Sequence, residues 1–587
     1  MRVKIVLYFV AFIMVLILIR VYNISIKSNT YYEELSKQNH IKKVYKAPTR
    51  GIIRDRNGIP IAINNVGFSI SLKPHMHLKK DSFELEKIAN LISTHFPQYK
   101  SEEIIEQYKR ENSPYRHEFI QVIDFIPYED FFPKFTIFNS IANLQINDAT
   151  KRYYPYKEIG AHIIGYVGKA SKADYSNDEI TKYTNIIGKT GLEYQYNSIL
   201  QGTLGYREIK VNALNQEVEV IKIVEPSNNN DIVTTIDINL QEYIHQIFNG
   251  TGGVVVVQDV NNGEILAAAS FPEYDNNLFV SGISHEQWEA MRNDFNNPFT
   301  NKVTNGLYPP GSVIKMGMAL SFLENGLGRN FSVYCSGEIQ VGNRKFRCWK
   351  PEGHGHTDYV KSIAESCDVF YYEGSLKVGI DKISQTMQTL GFGEKTGVDL
   401  PNEFIGINPN REWKTTKHKQ QWFIGETINT SIGQGYFLVT PLQVSKFTSY
   451  IATGVFTTPH FVKNPNVTQI KLQYQDKDLE LMRKGMYEVT HSTSGTAKNL
   501  TTKVELAAKT GTAQVVGIPQ DQKKRMKESE LEHYERSHAW MTAYGPYKNP
   551  QYAVTVLKEH GGYGASATGY EVSKIFDKLV ELGYIKQ

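Results

Sequence analysis

The sequence predicts an α+β fold, in which an antiparallel sheet lies between helical layers, behind one N-terminal transmembrane helix. Three observations predict it: an apolar N-terminus, a strand hairpin next to a helical pattern after residue 230, and three strand-like runs before a C-terminal helix. A sheet that is apolar on one face has to bury that face, and packed helices are the common solution.

The N-terminal 26 residues predict an uncleaved membrane anchor. Ile5 to Ile19 contains no charge, which is shorter than the roughly 20 residues of a spanning helix. Arg20 can snorkel, and apolar residues continue to Ile26. No small-residue cleavage site follows, and so little chain precedes the span that the bulk is expected outside the cell membrane. The alternative is an exported protein that is cleaved at an unrecognised site.

Length and composition place the rest among globular multidomain proteins. The chain has 587 residues, too many for one core. The Pro- and Asn-rich stretch before Asp231 predicts a linker, so we expect three parts: 1–26, 27–230 and 231–587. The net charge of +4 excludes a strongly basic surface for nucleic acid, and three cysteines exclude a disulfide-built scaffold.

The third part carries the clearest secondary-structure signals. Asp237 can cap a helix, and Asn261-Asn262-Gly263 can turn the β-branched run Gly252–Asp259 into a hairpin with Glu264–Ser270. Residues 310–450 are predicted to be mostly helical. The later predicted elements are the strands Val504–Val516, His538–Tyr544 and Tyr552–Leu557, and a final helix that carries Val572, Ile575, Phe576, Leu579 and Leu582 on one face.

Ser312 and Lys315 are the first candidate catalytic pair. They begin a predicted helix at i and i+3, so both side chains face the same way one turn apart. A serine needs a base to become a nucleophile, and a lysine in an apolar setting loses affinity for its proton and can serve as that base. The alternative is a helix-capping serine beside a surface lysine.

Two further motifs follow in order. Ser366-Cys367-Asp368 precedes an apolar run, and Lys-Thr-Gly occurs at 189–191, 395–397 and 509–511. Only Lys509-Thr510-Gly511 lies in a strand-like run. An extended peptide can add alongside such a strand, and we expect Gly511 to leave clearance for that approach.

These three motifs in this order resemble the penicillin-binding proteins and serine β-lactamases. The whole chain resembles a class B penicillin-binding protein, including Arg50–Gly58, Gly188–Glu193, Gly433-Gln434-Gly435 and Thr440–Gln443. Three features are similar to the elongation type: Tyr-Pro-Pro-Gly before Ser312, Trp349-Lys350 followed by Gly353-His354-Gly355, and Asp368 in place of the more usual asparagine. The resemblance implies a transpeptidase domain over 231–587 on an elongated pedestal, the dimerisation-type domain over 27–230.

The resemblance also implies the chemistry. Ser312 would attack the bond between the terminal D-alanines of a peptidoglycan stem peptide, Lys315 would take its proton, and Ser366 would relay a proton with Lys509. The implied substrate-binding residues are Asp368, Lys509, Thr510, Gly511 and Thr512, and the implied oxyanion hole is made by the backbone N–H groups of Ser312 and Thr512. The acyl-enzyme would be attacked by an amine of a neighbouring stem during cell elongation and rod-shape maintenance, and β-lactams would acylate the same serine. No cofactor is needed for this chemistry.

The same resemblance implies a location and partners. It implies a single-pass protein of the bacterial inner membrane with its bulk in the periplasm, a SEDS-family glycosyltransferase partner that is RodA-like, and an MreC-like scaffold. Two other functions use the same features: a β-lactam hydrolase or sensor, and a non-catalytic scaffold. A hydrolase needs a deacylating base, and no E-x-x-L-N loop is found; the intact serine and lysines argue against a scaffold.

All three cysteines fall in one short stretch with a histidine. Cys335, Cys348, His354 and Cys367 would make a Cys₃His set for tetrahedral zinc. Their spacing does not match a compact zinc knuckle, so clustering is the stronger argument. Two alternatives remain: a disulfide between Cys335 and Cys348, or three small buried hydrophobic residues.

Overall fold

The structure is a computed structural model that describes residues 2–27, 41–76, 82–113, 118–212, 217–227, 231–463, 467–516 and 527–586. The chain divides into two compact units that alternate along the sequence. The smaller unit comprises 1–51, 169–187 and 198–230, and the larger unit comprises 52–168, 188–197 and 231–587. Residues of the expected 27–230 domain therefore fall in both units, and the expected boundary at residue 230 lies outside the described residues.

The smaller unit contains the N-terminal helix and a three-stranded antiparallel sheet. The helix Arg2–Tyr22 continues into a turn of π-helix, Asn23–Lys27. Within the described residues it supplies one segment, Val3–Ile26, that is long and apolar enough to cross a membrane, and none of that segment is buried. The sheet has the order Ile41–Lys46, Gly205–Val211, Glu217–Val224. Two short helices are Lys172–Asn177 and Thr181–Thr184.

The N-terminal part of the larger unit is a small α+β layer with its own apolar core. Its long strand Pro60–Leu72 pairs with Ile120–Pro127 and with Leu144–Tyr153. The helices Ser82–His95 and Ser101–Glu111 bury Leu85, Ile88, Ile92, Ile104 and Tyr108 in this core. The other short elements of this unit are Ile53–Arg54, Tyr128–Phe131, Phe132–Lys134, Phe135–Asn139, Ala161–Ile164, Gly191–Gln195 and Ile232–Val233. Three more, Val167–Lys169, Ile186–Gly188 and Asn197–Leu200, each contain residues of both units.

The remainder of the larger unit is built on a five-stranded antiparallel sheet. Its strands are β1 (Gly253–Asp259), β2 (Ile265–Phe271), β3 (Ala507–Ala513), β4 (His538–Gly545) and β5 (Tyr552–Lys558), in the order β2-β1-β5-β4-β3. Every residue of β2, β4 and β5 but one is buried. The predicted hairpin and both late strands are confirmed.

Helices cover the sheet as predicted. α1 (Ile238–Ile247) begins where the Asp237 side chain accepts hydrogen bonds from the N–H groups of Asn239 and Leu240. The other helices that concern the site are α2 (Lys315–Glu324), α3 (Asp368–Val378), α4 (Pro441–Thr453) and α5 (Gly564–Glu581). α4 and α5 pack against β4 and β5.

Two expectations needed correction. Val504–Val516 contains a strand, but only Ala507–Ala513 forms it, at the edge of the sheet. The region 310–450 is not uniformly helical, because it contains four short strands: Val333–Cys335 pairs with Gly355–Thr357, and Glu338–Val341 pairs with Arg344–Arg347. These strands are too short to leave a clear period-two pattern.

The remaining elements complete the larger unit. They are Asn277–Val280, His285–Arg292, Lys302–Asn305, the 3₁₀ turn Gly311–Ile314, Tyr359–Ala364, Ile380–Thr389, Arg411–His418, Ile424–Ser431, Val455–Thr457, Gln469–Lys471, Asp476–His491, Glu528–Glu530 and His533–Glu535.

Candidate active site

Ser312 lies on a tight turn that precedes α2. The sequence predicts one helix from here, but residues 311–314 are 3₁₀ and the α-helix begins at Lys315. Gly311 has a φ of +54° and donates its N–H to Gly433 O at 3.0 Å. A Cβ on Gly433 would lie 2.2 Å from Gly311 O, so glycine is required where these two segments meet. The Gly433-Gln434-Gly435 stretch therefore packs against the turn that carries Ser312 and stabilises it.

Lys315 is fully buried and reaches the second motif. Its Nζ donates to Ser366 O at 2.8 Å, to Ser366 Oγ at 3.2 Å and to Asp368 Oδ1 at 2.7 Å. These contacts match the three N–H donors of an ammonium group. Among the described residues, no hydrogen bond joins Lys315 to Ser312. The i and i+3 spacing therefore places the two side chains at one site, while the partners of the ammonium come from the second motif.

Lys509 approaches the same serine from the sheet. It lies on β3, is fully buried, and donates from Nζ to Ser366 Oγ and to Thr510 O, both at 3.0 Å. Burial lowers the pKa of Lys509 well below its usual range; the positive charge of Lys315 adds to this effect and the negative charge of Asp368 opposes it. The hydroxyl of Ser366 therefore lies between two lysines, one of which holds its proton weakly.

Asp368 is the buried carboxylate of this cluster. Its Oδ1 pairs with Lys315, and its Oδ2 accepts the backbone N–H of Trp349 at 3.0 Å. Burial raises the pKa of Asp368, and the positive charge of Lys315 opposes that rise. An asparagine here would accept hydrogen bonds but would supply no negative charge. Two lysines and one carboxylate thus share the site.

The third motif lies on the edge strand, where an added peptide strand has access to unpaired backbone groups. Thr510 Oγ1 is 2.8 Å from Thr496 Oγ1. Thr512 accepts a hydrogen bond from Gly564 N at its hydroxyl, and one from Gln434 Nε2 at its carbonyl. The Thr510 side chain is thus held by Thr496, and the Thr512 side chain by the start of α5.

Gly511 packs closely against the segment that carries Ser312. A Cβ there would lie 3.1 Å from Pro310 O, from the Trp540 side chain and from the Val313 side chain. Gly511 therefore makes room for the turn that carries Ser312. The close packing fixes the distance between the first and third motifs.

One open cleft joins these groups. It has a volume of about 1900 Å³ and is lined by Ser312, Ser366, Asp368, Thr510, Gly511 and Thr512. The sequence assigned no role to Trp349, Asn429, Gln434 or Thr496, which line it as well. Trp349 and Gln434 belong to the stretches Trp349-Lys350 and Gly433-Gln434-Gly435, which resemble the penicillin-binding proteins. Asn429 and Thr496 carry no motif, so only the fold could reveal them.

The cysteines and histidine meet beside the cleft. The ligand atoms of Cys335, Cys348, His354 and Cys367 all lie within 4.8 Å of one another, and all four residues are buried. His354 Nδ1 is 3.6 Å from Cys335 Sγ and 3.5 Å from Cys348 Sγ. Tetrahedral zinc with Zn–S near 2.3 Å and Zn–N near 2.0 Å places sulfur and nitrogen ligands roughly 3.5 Å apart. Both distances from His354 match this separation, so the donor set suits zinc. No disulfide joins the three thiols.

The three thiols differ in pKa: burial raises the pKa of Cys335, and the hydrogen bond with Cys348 raises the pKa of Cys367. The hydrogen bond from Cys367 lowers the pKa of Cys348 to about 3, and His354 contributes in the same direction. Metal ligands must be thiolates. The predicted four residues are thus brought together by the fold, although they come from four different short segments.

Comparison with protein families decides the class. Residues 253–581 match the model of the penicillin binding protein transpeptidase domain, and residues 45–234 match the penicillin-binding protein dimerisation domain. The chain belongs to the penicillin-binding proteins. Peptidoglycan D,D-transpeptidase MrdA of Escherichia coli strain K12 is 35% identical over 97% of this chain and 93% of its own length.

Solved structures agree with this assignment. The penicillin-binding protein PBP2 of Helicobacter pylori, solved in complex with MreC, is 43% identical, covers 93% of this chain and 99% of its own, and has a TM-score of 0.86. A peptidoglycan synthase complex that coordinates polymerisation and crosslinking contains a chain 25% identical, covering 100% of this chain and 99% of its own, with a TM-score of 0.70.

This penicillin-binding protein is therefore of the PBP2, elongation type. It is a serine-type peptidoglycan D,D-transpeptidase that acts by acyl transfer. The predicted fold class is confirmed. Its relatives are named for transpeptidation rather than hydrolysis, which argues against the hydrolase and scaffold alternatives.

Proposed function

We propose that Ser312 is the nucleophile of this transpeptidase and that Lys315, Ser366 and Lys509 move its proton. The observation that carries the proposal is that Ser366 Oγ lies within hydrogen-bond distance of both lysines, in the cleft that Ser312 lines. Lys315 belongs to the first motif and Lys509 to the third, so the fold brings two distant motifs to one serine.

The proton route follows from the charges. Lys315 donates a hydrogen bond to Asp368, and it has to give up a proton before it can act as a base. Ser366 Oγ accepts a proton from Lys315 and passes its own to Lys509, whose lowered pKa leaves it able to exist as the free amine. Lys315 then takes the proton of Ser312, and the same route returns a proton to the leaving D-alanine amine.

Substrate would lie along the edge strand. Lys509, Thr510 and Thr512 would bind the terminal carboxylate, with Gly511 and Asp368 completing the wall. The backbone N–H groups of Ser312 and Thr512 would stabilise the oxyanion, each contributing about 3 kcal/mol. An amine of a neighbouring stem peptide would then attack the acyl-enzyme and form the cross-link, whereas a β-lactam would leave the serine acylated.

The test is labelling of the detergent-solubilised chain with a fluorescent penicillin, followed by peptide mapping. We expect a stable adduct on Ser312 that is absent in Ser312→Ala. Ser321→Ala is the matched control, because Ser321 is a buried serine of α2 that does not line the cleft. Rapid loss of the label would favour the hydrolase, and no adduct on folded protein would favour the scaffold.

We further propose that Cys335, Cys348, His354 and Cys367 hold a structural zinc ion. Its support is the spacing of the four ligand atoms and the thiolate-favouring environment of Cys348. Zinc would brace the wall that carries Ser366 without taking part in acyl transfer. We expect one zinc per chain, lost in Cys348→Ser; active, metal-free wild-type protein with a mapped Cys335–Cys348 disulfide would contradict this.

We also propose the location, division and partners that the family suggests. The N-terminal helix would anchor the chain in the inner membrane, with residues 27–230 as pedestal and 231–587 as the transpeptidase domain in the periplasm. An MreC-like scaffold and a RodA-like glycosyltransferase would be its partners, by analogy with the two similar complexes. Protease protection in spheroplasts tests the orientation, and co-purification with each partner tests the assembly.

A further inference from the structure

The second catalytic serine has an unusual backbone conformation. Ser366 has a φ of +56°, a left-handed geometry that residues other than glycine rarely adopt and that persists only where neighbouring groups hold it. It lies in the short connection between the helix Tyr359–Ala364 and α3. Its carbonyl and hydroxyl both accept hydrogen bonds from Lys315. The direction of its hydroxyl therefore depends on what holds this connection.

Trp349, which also lines the cleft, holds this connection. Its indole Nε1–H donates to Glu365 O at 3.0 Å and to Ser366 O at 3.1 Å, and its backbone N–H donates to Asp368 Oδ2 at 3.0 Å. One residue thus contacts the residue before Ser366, Ser366 itself and the carboxylate two positions later.

Trp349 and Lys315 share two acceptors. Both donate to Ser366 O, and each donates to one oxygen of the Asp368 carboxylate. The indole N–H supplies the part of this network that Lys315 cannot supply by itself, since the three donors of its ammonium are already in use. Without the indole N–H, the carbonyls of Glu365 and Ser366 lose a donor, and the left-handed turn loses a restraint.

We propose that Trp349 is a positioning residue, whose indole N–H fixes the Ser366 turn so that Ser366 Oγ stays between Lys315 and Lys509. The inference rests on the proton route proposed above. It assigns Trp349 no contact with the reacting atoms, although about half of its surface is exposed in the cleft. It also explains why a half-exposed aromatic residue has its polar atom turned away from solvent.

Acylation kinetics with two variants test this. Trp349→Phe removes the N–H and part of the ring, and replacement of Trp349 by β-(3-benzothienyl)alanine exchanges only the N–H for sulfur. For both variants we expect the rate constant of acylation by penicillin to fall at least tenfold, with little change in the pre-covalent dissociation constant. Trp422→Phe is the matched control, because its Nε1–H donates to Thr427 Oγ1 and it lies outside the cleft lining.

Each alternative outcome overturns the proposal. An unchanged acylation constant in the benzothienyl variant would show that the N–H is not needed, and a weakened dissociation constant alone would make Trp349 a substrate-contacting surface. Because Trp349 follows Cys348, bound metal and unfolding temperature are measured in parallel. If acylation is lost only in variants that also lose metal or unfold at a lower temperature, Trp349 has a structural role. If wild-type protein itself is not acylated, the proposed function has failed rather than this inference.

Discussion

Two buried clusters of charge in the larger unit differ in their balance. The first cluster includes Glu193, at the end of the Gly188–Glu193 stretch. Its carboxylate forms a fully buried pair with the Arg152 guanidinium, with Nε and Oε1 2.6 Å apart, and it also accepts a hydrogen bond from the Tyr154 hydroxyl. In the cleft, Lys315 and Lys509 share the single carboxylate of Asp368. A guanidinium does not give up its proton in proteins, so the first cluster is structural.

The excess of positive charge distinguishes the second cluster, in which we propose proton transfer. With two lysines and one anion, burial and like-charge repulsion hold the pKa of Lys509 down. A lysine that holds its proton weakly can exchange a proton with Ser366. The Arg152–Glu193 pair cannot exchange one in this way, because the guanidinium keeps its proton. The comparison predicts that changes to the two clusters have opposite consequences for catalysis and for stability.

Replacing Lys509 has the largest expected effect. Lys509→Met should slow acylation by roughly 100- to 10,000-fold, the range for loss of a general acid–base group. It should not lower the unfolding temperature, because it removes a buried charge that has no anion of its own. Stopped-flow labelling and thermal unfolding of the full chain in detergent measure the two effects.

Lys446→Met is the control for that experiment. Lys446 is also a buried lysine with a pKa lowered by burial, to about 8, but its Nζ donates to Thr396 O and it does not line the cleft. We expect its acylation rate to match wild type. If both variants lost acylation equally, the effect would come from disturbed packing rather than from proton transfer.

Breaking the balanced pair should affect stability alone. Glu193→Gln removes the carboxylate that pairs with the buried Arg152, and breaking such a buried pair typically costs about 3–5 kcal/mol. Denaturant unfolding should show this loss, while the acylation rate of the remaining folded protein stays unchanged. Glu289→Gln is the control, because Glu289 pairs with Arg292 on the surface. A Glu193→Gln variant as stable as wild type would contradict the structural role of the Arg152–Glu193 pair.

The pH dependence gives the smallest and most specific test. Acylation by wild-type protein should rise with pH as Lys509 loses its proton, with a midpoint well below 10.5. In Asp368→Asn the anion that raises this pKa is gone, so the midpoint should move to lower pH. Asp478→Asn, which disrupts the pair with Arg329, should leave the midpoint in place. A shift to higher pH in Asp368→Asn would contradict the assigned charges.

The same pKa has a consequence for stability. Because folded Lys509 binds its proton more weakly than the unfolded chain, the unfolded state takes up protons between the two pKa values. Lys509 therefore makes stability increase with pH in that interval, and its contribution is least favourable at lower pH. Lys509→Met should flatten this part of the stability profile.

The sequence by itself determined the local elements and the order of the motifs. The Asp237 cap and the Asn261–Gly263 turn depend on neighbouring backbone groups, so residue type and spacing were enough to predict them. The three motifs could be predicted from residue type and order, and the cysteine set from its clustering along the chain. These features carry the fold class and the family.

Only the tertiary structure decided which groups share charges and hydrogen bonds. Lys315 is 53 positions from Asp368, and Lys509 is 143 positions from Ser366, so their contacts depend on how α2, α3 and β3 pack. The roles of Trp349 and Gly511 also required the packed cleft, as did the meeting of four cysteine and histidine segments. The physical reason is that distant segments bury these groups together. Their loss of contact with water and their common carboxylate therefore depend on the fold and cannot be read from any local sequence pattern.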